Sequence, residues 1–113
     1  MSERDDSVSL RQMLDAAQKA IQFTRDIDFE GFKNDELKIL AITRLLEILG
    51  EAARRVSQHL RSDHPEVEWR EIIGARDRII HGYDTVDLDR VWRICREDLL
   101  ALTTKLRKIL AEI

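Results

Sequence analysis

A chain of 113 residues with 43% hydrophobic, 36% charged and only 5% aromatic residues, four glycines and one proline has the make-up of one helical domain and excludes an all-β architecture. Its 19 basic and 22 acidic side chains leave a formal charge of −3, which excludes the strongly basic signature of a general nucleic-acid binder, so any RNA contact has to be local. The lone cysteine, Cys95, rules out an intramolecular disulfide and, with no Cys-x-x-Cys, a zinc ribbon.

Residues 1–6 are polar and acidic and read as a flexible N-terminus, with neither a secretory leader nor a membrane-spanning run in view; a reducing cytoplasm is the expected setting. From about Ser7 to Asp28, Leu10, Met13, Leu14, Ala17, Ile21 and Thr24 recur at spacings of three and four, which predicts one amphipathic helix. The stretch Phe29 to Asn34 interrupts it. Asn34 is placed to cap a second helix that runs until Pro65 approaches. Its main apolar face is Leu37, Leu40, Ala41, Leu45, Ile48, Leu49, Ala52, Val56 and Leu60. Ile39, Ile42, Leu46 and Ala53 widen that face, as expected of a central helix contacted from several sides.

A third helix is predicted from about Trp69 to His81, with Gly82 as its C-cap. Asp87 then caps a last helix whose seam, Leu88, Trp92, Cys95, Leu99, Leu102, Leu106, Ile109 and Ile113, steps alternately by four and three. Such a seam suits antiparallel bundle packing or packing against a second chain. The expected fold is therefore all-α, an antiparallel bundle of four main helices over residues 1–113.

The chemistry concentrates between Arg76 and Tyr83. His81 exchanges a proton near neutral pH, Arg76 is a permanent cation suited to gripping phosphate, and Tyr83 supplies a hydroxyl. A metal-free phosphodiester transfer needs a base for the ribose 2′-hydroxyl, an acid for the leaving oxygen and a cation at phosphorus. On an ideal helix, positions 76 and 81 point about 140° apart. A shared site then requires Arg76 to lean round, His81 to sit past the helical end, or a second protomer to complete the cleft on a twofold axis. The last arrangement is favoured. Arg44, Glu47 and Glu51, spaced by three and four, read as intrahelical pairs, with Arg44 best suited to fixing a cleft. His59, Asp63 and His64 lack a fourth ligand, so no metal is expected. Arg54, Arg55 and Arg61 form a basic patch that either tracks RNA or, the favoured reading, is a solvated face.

Arg76, four residues, His81, one residue and Tyr83 resemble the Arg-x4-His-x-Tyr motif of HEPN-domain ribonucleases. The run Gly82 to Asp87 with Val91-Trp92, the segment Arg44 with Glu47 to Ala52, and Pro65 to Trp69 followed by Ile72-Ile73-Gly74 are similar to the HepT-like branch. This resemblance implies a HEPN-like homodimer or higher assembly, in which Arg76 and His81 of both copies form one cleft that cuts RNA without metal or other cofactor. It gives His81 the acid/base role and Arg76 the scissile phosphate. Asp77 takes the polar position after the Arg, where Asn is common in the family. The resemblance also implies a toxin paired with a small MntA-like nucleotidyltransferase antitoxin, which silences the nuclease by adding AMP to Tyr83. The alternative is a noncatalytic HEPN module that binds a nucleotidyltransferase, a nucleotide or RNA.

Overall fold

The structure, a computed structural model, describes residues 3–81 and 85–113. Helix α1 spans Glu3–Arg25, α2 Phe29–Lys33, α3 Glu36–Arg55 and α4 Gln58–Asp63, followed by α5, Trp69–Ile73, and α6, Ala75–Ile79. Two short strands, β1 (Ile80–His81) and β2 (Thr85–Val86), pair antiparallel, with Ile80 opposite Val86 and His81 opposite Thr85. One continuous helix completes the chain: α7 (Leu88–Arg93), a π-helical turn over Ile94–Asp98, and α8 (Leu99–Glu112). The fold is all-α, an antiparallel bundle in which α1, α3, the α5–α6 pair and the α7–α8 helix are the main members.

Helix α1 packs against α3 on one side and α8 on the other, and its buried Leu10, Met13 and Ala17 meet Ile42, Leu46, Leu106 and Ile109 in the core. The antiparallel sense of α1 and α3 is fixed at their ends. The buried Asp6 carboxylate accepts hydrogen bonds from the Ser57 amide (2.8 Å) and hydroxyl (2.7 Å) just past the C-terminus of α3. Those two bonds satisfy a polar group that burial would otherwise leave costly. Helix α1 therefore begins at Glu3, inside the stretch that the sequence presents as a flexible N-terminus. At the other end, Phe29 and Phe32 of α2 pack against Trp92, with ring centroids 5.8 and 5.5 Å away. Arg96 lies over the Trp92 ring and donates to the Thr24 carbonyl at 3.0 Å, tying the π turn to the end of α1.

Several boundaries differ from the periodicity reading. Asp35, rather than Asn34, caps α3, its carboxylate accepting from the Lys38 amide. That helix stops at Arg55, because Val56 turns to an extended backbone and Ser57 caps α4. The helix expected over Trp69–His81 breaks at Gly74 and ends at Ile79 with Ile80 as its C-cap, so Ile80 and His81 belong to a strand. Glycine 82 itself, with Tyr83 and Asp84, lies outside the described residues.

The face of α3 also differs. Ile42, Leu46, Leu49, Ala52 and Ala53 are buried, whereas Leu37 and Leu40 are 80% and 61% exposed. Helices α1, α5 and α6 cover the first set and leave the second bare. The seam of the last helix holds at Cys95, Leu99, Leu102, Leu106 and Ile109, while Ile113 is exposed.

Candidate active site

The motif lies where α6 ends and β1 begins. Ile80 turns out of the helix with an extended backbone (φ −110°, ψ 122°), which carries His81 into β1 opposite Thr85. The Asp87 amide donates to the Ile79 carbonyl at 2.6 Å, so the strand pair and the start of α7 close on the end of α6. The backbone carries His81 past the helical end, an arrangement that a second protomer can still complete into one cleft.

Arg76 is exposed and is held from across the bundle. Its Nε donates to the Glu47 carboxylate of α3 at 3.2 Å. Among the described residues, no hydrogen bond uses its Nη atoms, so the forked edge of the guanidinium stays open for an anion such as phosphate. An ion pair this open to water adds little stability, and its effect is geometric: it selects one rotamer of a long side chain.

The register of Glu47 against Arg76 depends on Gly50, one turn further along α3. A Cβ there would lie 3.1 Å from the Ile72 carbonyl oxygen and 3.5 Å from that of Ile73. The backbone of α5 thus packs directly onto α3 and carries α6 in with it. Gly50→Ala is expected to push the two apart and destabilise the protein by about 1–3 kcal/mol, read as a lower urea midpoint. An unchanged midpoint would show that α5 tolerates the methyl group.

The other candidates are placed less centrally. Arg44 does not reach Arg76; its Nη1 lies 3.9 Å from Glu51 Oε1 along its own helix. Asp77 is exposed in the first turn of α6 and its side chain makes no bond among the described residues. Tyr83 lies outside the described residues. Glu47 is the residue that sequence reasoning assigned to the wrong partner. Its signal was its place one turn from Arg44 on the same face, but pairing with a residue 29 positions away has no trace in local spacing.

His59 and His64 separate into two pairs, with Asp63 at 3.3 Å and Glu66 at 3.0 Å. In the basic stretch, Arg55 reaches Gln12 at 3.4 Å, while the buried Arg61 Nε has no hydrogen-bond partner among the described residues. Cys95 is buried in the seam, and that burial pushes its thiol up to about 12, outweighing a smaller opposite pull from Arg96. The thiol therefore stays protonated where an unfolded chain's would ionise, and stability is expected to fall as pH rises from about 9 toward about 12. At pH 8 a disulfide reagent should label Cys95 only in urea; fast labelling of the native protein would contradict its burial.

The family model described as ribonuclease HepT-like matches residues 13–109. A protein of Methanocaldococcus jannaschii named as a candidate RNase is 39% identical over 99 residues, 88% of this chain and 91% of that one. A protein of Thermococcus cleftensis named as a probable ribonuclease HepT is 37% identical over 100 residues, 88% of this chain and 91% of that one. A second M. jannaschii protein named as a candidate RNase is 31% identical over 113 residues, 100% of this chain and 97% of that one. No solved structure matches the chain. With the motif at the α6–β1 junction and relatives aligned over nearly all its length, the chain belongs to the ribonuclease HepT-like family.

Proposed function

We propose that the protein is a metal-independent endoribonuclease of the cytoplasm, the toxin of a toxin–antitoxin pair, folding as one HEPN-like domain over residues 1–113. The observation that carries this reading is Arg76, braced at Nε by Glu47 with its forked edge open, at the foot of the strand that holds His81. In the reaction, His81 takes the proton of the ribose 2′-hydroxyl and the freed oxygen attacks the adjacent phosphorus. The bond to the 5′ oxygen breaks, and that oxygen leaves with a proton from the histidine of a second copy. Arg76 holds the phosphate as its charge rises. The products are a 2′,3′-cyclic phosphate and a 5′-hydroxyl, with every proton accounted for. Asp77 and Arg44 flank the cleft as supporting groups.

Two copies are part of the proposal. On an ideal helix the exposed Leu37 and Leu40 share a face of α3 with Arg44, Glu47 and Glu51, so an apolar surface runs directly into the charged one. A nucleotidyltransferase antitoxin is the second partner, adding AMP to Tyr83. Phosphates attached there would repel an RNA backbone and fill its path. No helix among the described residues is long and apolar enough to cross a membrane.

The test is cleavage of total RNA by purified, unmodified protein in EDTA. Cutting with cyclic-phosphate ends supports the reading. An uncut substrate, with the protein's intact mass showing no AMP, would move it to a noncatalytic binding module. Protein made together with its antitoxin should gain mass in AMP units on Tyr83; an unchanged mass removes that part.

A further inference from the structure

About 160° round α6 from Arg76 on an ideal helix, Arg78 opens into a groove of about 480 Å³ between the α5–α6 pair and the α7–α8 helix. Leu46, Leu49, Ile72 and Leu102 give it an apolar floor, and the π turn forms part of one wall. Such turns are frequent at functional sites.

Its charges are separated along its length. Because Asp87 is bonded to Ile79, the start of α7 stands beside the end of α6, and Arg78, Arg90 and Arg93 gather at that end. Among the described residues, Arg78 and Arg93 have no acidic partner, and Arg90 approaches only Asp87, at 3.8 Å. Two helical turns back along α5–α6, and one turn on from Arg93, the exposed carboxylates of Glu71 and Glu97 line the middle, with Asp98 beside them. Glu68 and Lys105 stand at the far end.

A nucleotide of single-stranded RNA with an amino-bearing base carries the complementary sequence of groups: an anionic phosphate, a flat apolar base face, and an exocyclic amine that donates hydrogen bonds. A purely anionic ligand would meet Glu71 and Glu97, and a purely apolar one would bury unpaired arginines. We propose that the groove holds an RNA nucleotide flanking the cleaved bond, with its backbone phosphate on Arg78, Arg90 and Arg93 and an amino-bearing base against Glu71 and Glu97. This rests on the ribonuclease reading above and adds a preference to it. Adenine, cytosine and guanine have the amine that a carboxylate accepts from, and uracil has none. The strand passes over the hairpin end of α6, a helix about 10–12 Å across, from Arg76 on one side to Arg78 on the other.

The experiment is fluorescence anisotropy with short 2′-O-methyl RNA, whose blocked 2′ oxygen prevents cleavage, comparing adenine-rich and uracil-only strands across a salt series. Wild-type protein is expected to bind the adenine-rich strand about tenfold more tightly. Arg78→Ala with Arg93→Ala should weaken binding of both strands and flatten the salt slope by about 0.7, the value for one phosphate contact on a single strand. Glu71→Ala with Glu97→Ala should erase the preference and leave the uracil strand bound at least as well. All four side chains are exposed, and circular dichroism confirms that the variants are folded. Equal binding of the two strands, or a salt slope and affinity untouched by the arginine pair, overturns the proposal; so does a protein segment displaced by these substitutions while RNA affinity holds. The ribonuclease reading is read out separately on cleavable RNA: it fails if the wild type does not cut, and the groove alone fails if cutting depends on His81 while binding ignores the groove.

Discussion

His81→Ala is expected to lower RNA cleavage in EDTA by about 10²–10⁴-fold, the usual contribution of a positioned acid/base group. Arg76→Ala should cost about 10²–10³-fold, as the loss of one donor to a developing anion does. The double variant should be scarcely worse than His81→Ala, because groups acting in one step do not add. The Arg76 side chain is 57% exposed and outside the core, so its truncation removes a charge and no packing. Its far-ultraviolet spectrum and unfolding midpoint should match those of the wild type. The useful contrast is in substrate affinity: Arg76→Ala weakens the grip on phosphate and His81→Ala does not. Cleavage retained by the histidine variant at close to the wild-type rate would remove the proposed chemistry, whatever the fold.

How much of this arrangement was legible depends on how local each signal is. Helix α1 and the last helix repeat apolar residues over six or seven turns, and a pattern that long survives small boundary errors. Asp87 was legible as a cap because capping is a contact across three residues. The strands were not, since two residues have no period and Ile79-Ile80 continue an apolar run that reads as helix. The break at Ser57 had no Gly or Pro to announce it, and it exists because Asp6, 51 positions away, binds the freed amide. The π turn likewise carries no breaker in its sequence, Ile94 to Asp98.

The candidate site divides in the same way. Arg76 and His81 were found by an ordered motif, while the Glu47 contact exists only after Gly50 lets α5 settle on α3. Leu37 and Leu40 were misassigned for a different reason. Hydrophobicity marks a surface that leaves water, and it cannot say whether the covering partner is the same chain or another.

Those two leucines set the second large effect. If two copies join through this face, Leu37→Asp with Leu40→Asp should leave the fold intact, since the two residues are already 80% and 61% exposed. In a twofold interface each residue is used twice, so the pair of substitutions removes four buried leucines and introduces four carboxylates that face their own copies. At about 1.5–3 kcal/mol for each buried leucine, the dimer should dissociate at micromolar concentration, seen as a halved mass in sedimentation. Cleavage should fall with it, because the proposed reaction needs an acid and a base and one copy offers a single motif histidine. Wild-type activity per molecule should then rise with protein concentration through the dissociation constant. A doubly substituted protein that stays dimeric would return the exposed leucines to ordinary surface, and a wild type that is monomeric at full activity would place the second catalytic group within one chain.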